Sequence, residues 1–334
     1  MTRLLQAAAA FASRTPWGMI AAMSTAAALQ EGAWTTARLL QWTAAYLKDH
    51  GIDDPRLAAE VLLAHAAGCR RIELYTRFET VPEPPHVARF RDLVRRAAQH
   101  EPIAYLVGEK EFFSLPMVVT RDVLIPRAET EVLVECLIDH CKAAALDAPR
   151  ILDLGTGSGC VIVAALVNLT GATALGTDIA DEALAVAQAN AQRHGVLDRL
   201  QLAKADRLAL PAEFCHGAFD VIVCNPPYIP AGRIGALDPE VRDYEPRAAL
   251  TDGEDGLSFY RALASDGPEW LRSGGVILVE VGDGCAWQVV DIMTQERPTG
   301  GQAASGTLAH LATRKDRVVG RERVLAFGSA KRRE

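Results

Sequence analysis

Apolar residues follow two regimes along this chain. From Thr35 to about Gln99 they recur at helical spacing in three stretches. The first runs through Leu39, Leu40, Ala44 and Leu47, with Thr35 or Thr36 as cap and Gly51 as stop. The second follows Asp54-Pro55, a cap and a first-turn proline, and carries Leu57, Val61, Leu62 and His65 in a stripe ending before Gly68. His65 reads as a core or boundary histidine. Pro84-Pro85 opens the third stretch, which turns Val87, Phe90, Leu93 and Val94 inward and Arg91, Arg95 and Arg96 outward. That arginine stripe reads as a solvated face rather than a protein- or RNA-contacting one. Between Gly108 and Pro126 the run of Phe112, Phe113, Leu115, Met117, Val118, Val119, Val123, Leu124 and Ile125, with Arg121-Asp122 at the turn, predicts a β-hairpin. Helical spacing returns over Glu129–Cys141.

After Arg150 short apolar runs alternate with helical segments. Strands are expected at Ile151–Leu154, Thr173–Thr177, Leu200–Lys204, Phe219–Cys224, Gly275–Val281 and Arg323–Phe327, with helices at Cys160–Leu169 and Asp181–His194. Such alternation predicts an α/β fold: a parallel, doubly wound sheet that binds ligands beyond the carboxyl ends of its strands. Arg297–Thr313 is rich in Gly, Ala and Thr and shows no clear strand, which leaves the edge hairpin of the sheet open. Four segments result: an extension at 1–32, a helical domain at 33–105, a hairpin-and-helix linker at 106–149 and the α/β domain at 150–334.

Composition narrows the class. With 334 residues, 49% of them hydrophobic and 23% charged, the chain can bury a sizeable core and is neither disordered, fibrous nor a small disulfide scaffold. The formal charge is −7, whereas a protein built to grip a phosphate backbone is usually basic. The acidity belongs to Leu106–Glu334, with 32 acidic and 23 basic residues, apart from a basic tail from Arg314 onward. Seven cysteines with no C-x-x-C read as reduced, buried thiols of a cytoplasmic protein. The first 32 residues are Ala-rich, with no acid before Glu31, and loosely resemble a transit peptide. Their uncharged stretch, Thr15–Gln30, is too short and polar to span a bilayer. They read as a disordered or weakly helical extension, such as an early start codon would add, with Met19 and Met23 as candidate true starts.

Two motifs carry chemistry. Asp153-Leu-Gly155-Thr156-Gly157-Ser158-Gly159 follows the first expected strand of the α/β domain and opens a helix, so backbone N–H groups can approach a ligand closely. Its spacing misses the dinucleotide fingerprint G-x-G-x-x-G, and no Gly-Lys-Ser/Thr follows to make a P-loop. Asp178, at the end of the next strand, is placed to accept both ribose hydroxyls of a nucleoside cofactor, or else to cap the following helix. Asp206 ends the third strand, within reach of an adenine amino group. These elements suit a dehydrogenase or a methyltransferase equally.

Asn225-Pro226-Pro227-Tyr228, at the end of the fourth strand, separates the two. Methylating a planar NH2 group requires localising a lone pair that is delocalised into the π system. The Asn225 side-chain oxygen and the Pro226 carbonyl are two acceptors suited to draw on the two N–H bonds, and the prolines stiffen the turn. Tyr228 can stack on a flat substrate group and tolerates a neighbouring sulfonium. No metal and no covalent nucleophile is required.

The chain resembles the HemK-type protein-(glutamine-N5) methyltransferases that modify class 1 peptide-chain release factors, from about Ala33 to Phe327. The resemblance is carried by Asp54–Gly68, Gly108–Phe113, Val123–Glu131, Asp153–Gly159, Asn225–Ile229, Tyr244–Leu250 and Asp252–Tyr260. It implies a Rossmann-like class I S-adenosylmethionine-dependent methyltransferase sheet, preceded by a small all-α domain that docks the release factor and by a β-hairpin linker. It implies methyl transfer to the glutamine of the Gly-Gly-Gln loop. By family pattern Gly155, Thr156, Gly157, Ser158, Gly159, Asp178, Arg207 and Asn225 hold the cofactor, while Asn225, Pro226, Pro227 and Tyr228 hold the glutamine amide. The expected protein is a cytoplasmic monomer acting on release factors, without membrane or direct nucleic-acid contact. Ala128 departs from the pattern, standing where relatives have proline. A nucleic-acid methyltransferase acting on adenine N6 or guanine N2 uses the same tetrapeptide and is the main alternative; the acidic α/β region argues against it. A non-catalytic S-adenosylmethionine-binding or factor-binding module would have no use for amide-polarising carbonyls.

Overall fold

The computed structural model describes residues 34–212, 214–295, 308–316 and 320–329. The expectation of disorder for 1–32 lies outside them. The chain forms two compact units, one up to Val107 and one from Gly108.

In the first unit α1 (Thr36–Asp49), α2 (Pro55–Ala67), α3 (Arg71–Thr76), α4 (Pro84–Ala97) and α5 (Ile103–Val107) close around Leu39, Leu47, Leu62, Leu63, Phe90, Leu93 and Val94. The Thr35 hydroxyl accepts from the Arg38 N–H at 3.4 Å, which caps α1. Asp54 does not cap α2. Its backbone is left-handed, at φ 43° and ψ 52°, so its carboxylate is not aimed along the helix axis and makes no capping bond. Two arginines of the outward stripe are engaged within the unit, Arg95 with Asp92 and Arg96 with both oxygens of buried Glu101.

The second unit opens with β1 (Glu109–Phe112) and β2 (Leu115–Val118), an antiparallel hairpin. Its turn is not at Arg121-Asp122, as the sequence pattern predicts, but at Phe113-Ser114. Both of those residues are left-handed, at φ 51° and 59°, as a two-residue hairpin loop demands. Neither residue type favours that conformation, which is why the turn is invisible in sequence. Val123–Ile125 therefore forms no returning strand; the segment runs on to the 3-10 turn Ala128–Thr130 and α6 (Glu131–Ala143).

There follow β3 (Arg150–Leu154), α7 (Cys160–Asn168), β4 (Thr173–Asp178), α8 (Asp181–Arg193), β5 (Leu200–Lys204) and β6 (Phe219–Cys224). The chain ends through α9 (Ser258–Trp270), β7 (Leu271–Glu280), α10 (Ala286–Thr294), β8 (Leu308–Lys315) and β9 (Glu322–Ser329). The sheet order is β5-β4-β3-β6-β7-β9-β8; β5 through β7 run parallel and the last two strands antiparallel. The sequence pattern does not show β8. It is an edge strand in which only Leu308 is buried, so it carries no alternating apolar pattern.

Alternation along the central strands feeds two cores. Ile151, Val221, Val223, Val276 and Leu278 face α6 and α7, while Leu152, Leu154, Ile222, Cys224, Ile277 and Val279 face α9 and α10. From β3 the chain winds outward through β4 and β5 and then returns to β6 on the other side of β3, making the topological switch point at which open α/β sheets bind ligands. Leu154 pairs with Cys224, so the turn after β3 and the tetrapeptide after β6 emerge side by side.

One buried side chain ties this edge together. Asn190 on α8 accepts from the Val118 N–H at 2.7 Å and donates to the carbonyls of Val118 and Ser158 at 3.0 and 2.8 Å. Asn190→Ala is expected to lower unfolding free energy by about 3 kcal/mol, since buried unsatisfied groups cost roughly 1–3 kcal/mol each. Urea titration checks this.

Candidate active site

A cavity of about 480 Å³ opens at the switch point, within the range of roughly 300–1,000 Å³ typical of cofactor sites. Gly155, Thr156, Gly157, Ser158, Asp178, Arg207, Asn225 and Pro227 all line it, together with Asp153 and Asp206. Gly159, Pro226 and Tyr228 do not. Gly159 is a packing position: a Cβ there would come within 3.0 Å of Ala187 on α8. Pro226 is buried beneath the turn, and the Tyr228 hydroxyl donates to Glu280 Oε1 at 3.5 Å while its ring lies against Gly282.

Asp178 does not cap α8, whose N-cap Ala180 has no side-chain capping bond; it braces the loop between β4 and that helix instead. Its two oxygens accept the N–H groups of Gly157 at 3.0 Å and Ala180 at 3.1 Å, fixing the glycine turn to the start of α8. A carboxylate has about four lone-pair sites, so acceptor capacity remains for two hydroxyls of a ligand. Arg207 has a left-handed backbone, φ 50°, and its guanidinium lies 5.5 Å from the Phe259 ring centroid. Its Nε is buried without a hydrogen-bond partner among the described residues. These features fit a nucleoside cofactor carrying positive charge: acceptors for ribose, a glycine turn without Cβ crowding, and a buried carboxyl on the floor.

That carboxyl is Asp153. Burial pushes it up, the Thr156 hydroxyl donated at 2.7 Å pulls it down, the negative charge of Asp178 pushes it up again, and it titrates at about 7. Glu280 likewise rises to about 7 through burial, opposed by a Thr130 hydrogen bond and the Arg323 charge, with Glu129 adding to the rise. In the unfolded chain both lose their protons near pH 4, so between about pH 4 and 7 the native state binds more protons and stability falls as pH rises. Asp153→Asn keeps an acceptor for Thr156 and removes the titration. Urea unfolding at pH 5, 6, 7 and 8 is expected to show a flatter decline for this variant, because each tenfold change in proton affinity is worth about 1.4 kcal/mol. Parallel curves for the two proteins would refute it.

The far wall is not legible in sequence. Pro126, Arg127 and Thr130 line the cavity, with Ala128 in the turn between them. Arg127 donates at 2.5 Å to Glu245, whose carboxyl is raised by burial and lowered by that guanidinium. Asn225 donates its Nδ2 to the Thr130 hydroxyl at 3.2 Å, which leaves Oδ1 as the end available to accept. Behind the tetrapeptide, Ile229 N–H bonds the Leu250 carbonyl at 3.0 Å and Tyr228 bridges Thr251. Asp252 holds the next loop by accepting the N–H groups of Glu254, Gly256 and Ser258; burial alone would raise it, but these donors bring it to about 2. The motif Asp252-Gly-Glu-Asp-Gly256 is visible in sequence, though not what it braces. Among the described residues no His/Cys/Asp/Glu group is arranged to hold a metal, and no helix is long and apolar enough to cross a membrane.

Residues 38–108 match the family described as PrmC N-terminal domain, and residues 130–244 the family described as ribosomal protein L11 methyltransferase (PrmA). The release factor glutamine methyltransferase of Geobacter sulfurreducens is 43% identical over 262 residues, spanning 78% of this chain and 89% of its own length. That of Rhodopirellula baltica is 42% identical over 251 residues, 74% of this chain and 84% of its own. That of Chlorobaculum tepidum is 40% identical over 262 residues, with shares of 77% and 89%.

Proposed function

The chain belongs to the release factor glutamine methyltransferase family, and from that premise we propose that it methylates the side-chain amide nitrogen of the glutamine in the Gly-Gly-Gln loop of class 1 release factors. The observation that carries the reading at atomic level is Asn225, which lines the cavity next to the glycine turn with its Nδ2 already committed to Thr130.

When bound, S-adenosylmethionine supplies an electrophilic methyl carbon on a sulfonium. The turn Gly155–Gly159, Asp178 and Arg207 are the groups proposed to hold it, with Asp206 near the adenine end. The chain's own work is then done on the amide. Asn225 Oδ1 and the Pro226 carbonyl each accept one amide hydrogen, so electron density withdrawn from the carboxamide π system collects on nitrogen. Both acceptors sit on a proline-stiffened turn and need no rearrangement as charge develops, which is electrostatic preorganisation. The helical unit is proposed to dock the release factor.

The test is direct. The chain is incubated with methyl-labelled S-adenosylmethionine and, separately, an unmethylated release factor and duplex DNA, and the modified residue is mapped. Label on the loop glutamine is expected; label in DNA alone would overturn the proposal.

A further inference from the structure

Among the described residues two cationic side chains line the cavity, Arg127 and Arg207. Arg207 follows β5, whose end pairs with Asp178, so it belongs with the glycine turn that Asp178 holds. Arg127 is tied to the opposite, tetrapeptide side. Its carbonyl accepts from the Thr130 N–H at 3.1 Å, and the Thr130 hydroxyl accepts from Asn225. Its guanidinium bonds Glu245, at the start of the segment whose Leu250 carbonyl accepts from Ile229.

The way Arg127 meets Glu245 leaves it capacity for a second partner. Its Nη2 donates to Glu245 Oε1 at 2.5 Å; the Glu245 side chain is 1% exposed and that of Arg127 35%. A guanidinium that served only as counterion to a buried carboxylate would be expected to close on both oxygens with both arms. Here Oε2 is buried without a partner, and the Arg127 guanidinium makes no other hydrogen bond among the described residues. A carboxyl oxygen can accept whether or not the group carries a proton, so this anchor does not require an ionised Glu245. Arg127 is thus held by one nitrogen, with N–H donors left over, on the cavity wall that carries Thr130.

What such donors can meet on this side of the cavity is substrate oxygen. The carboxamide oxygen of the target glutamine is the wrong one, because a cation there draws π density toward oxygen and away from the nitrogen that must attack. Main-chain carbonyls are the acceptors that the loop presents besides, and glycine, with no Cβ, lets a planar guanidinium come close to them. We infer that Arg127 is a substrate-binding residue whose remaining donors take a main-chain carbonyl of the Gly-Gly-Gln loop, with Glu245 as the positioning residue that fixes the guanidinium. This rests on the methyl-transfer reading proposed above. The bond is made equally in the bound complex and in the transition state, so it contributes to holding the release factor and not to the chemical step.

The experiment measures kcat and KM with an unmethylated release factor, and S-adenosylmethionine affinity by calorimetry, for Arg127→Lys, Arg127→Met and the double variant Arg127→Met/Glu245→Gln. Arg127→Met and the double variant are each expected to raise KM about tenfold or more, the cost of one hydrogen bond from a charged donor, with kcat and cofactor affinity within about threefold. Arg127→Lys keeps the charge and a bond to Glu245, but one ammonium cannot span two partners as the fork does, so its KM is expected to rise nearly as far. The double variant separates binding from propping. It leaves no buried carboxylate without its guanidinium, so a purely structural role would return KM to the wild-type value there. Circular dichroism establishes folding; should the methionine variants not fold, Arg127→Lys, in which the pair is retained, decides alone. A wild-type KM in Arg127→Lys or in the double variant overturns the inference. So does a loss confined to kcat or to cofactor affinity, the latter placing the carboxylate of S-adenosylmethionine on Arg127 instead. If the wild type labels no release factor, the methyl-transfer reading falls first; if it labels the loop glutamine while every Arg127 variant keeps its KM, only the inference about Arg127 falls.

Discussion

Asn225→Ala is expected to bind S-adenosylmethionine about as well as the wild type and to turn over about 10²–10³-fold more slowly, the usual cost of removing one preorganised polar partner from a reacting centre. The truncation removes the acceptor Oδ1 and the Nδ2 that donates to Thr130, but it strands no charge, because the group that loses its partner is a neutral hydroxyl. The acceptor matters most when positive character develops on the amide nitrogen. The loss should therefore fall equally on kcat and kcat/KM, with KM little changed. The Pro226 carbonyl remains and accounts for residual turnover. Single-turnover rates with a release factor, beside calorimetric titration of the cofactor, check both halves; wild-type turnover would remove Asn225 from the chemistry.

Gly256→Ala is expected to cost about 1–3 kcal/mol of stability from its left-handed backbone alone, and in addition about 100-fold in turnover. The two effects have different origins. Gly256 has φ 79°, and a Cβ there would lie 2.2 Å from the Tyr228 carbonyl oxygen and 2.7 Å from its carbon. Backbone must give way, and the backbone that gives way belongs to the tetrapeptide; a shift of about 1 Å in a positioned group is worth about 10² in rate. Gly253→Ala in the same loop is the control. Its φ is similarly left-handed, at 85°, but a Cβ there meets nothing within 4 Å, so it should lose stability and keep its rate. Equal turnover losses for both variants would show that the contact with Tyr228 is immaterial.

These residues mark where sequence reasoning succeeds and where it stops. Phe219–Cys224 is legible to the residue because a central parallel strand is covered on both faces and reads as one apolar run. The glycine turn, Asp178 and the tetrapeptide are legible because backbone geometry and nucleophile chemistry restrict residue type at short spacing. Leu308–Lys315 is not, since an edge strand facing solvent leaves no period-two signature. Thr130, Glu245 and Glu280 are hidden for another reason. Each acquires its role from a partner 95, 118 or 52 positions away, and a threonine or glutamate in isolation carries no mark of that pairing. Asp54 shows the converse: its residue type promises a cap that its dihedral angles do not permit.

The pairing of Leu154 with Cys224 has a dynamic corollary. The glycine turn and the tetrapeptide hang from these two neighbouring strands, so the β3–β6 seam is a single hinge on which both depend. A fluctuation that parts this seam disables both grips at once, whereas fraying of β8 at the distant edge leaves them untouched. Amide hydrogen exchange along β3 and β6 would accordingly report the lifetime of the competent enzyme, and exchange along β8 would not.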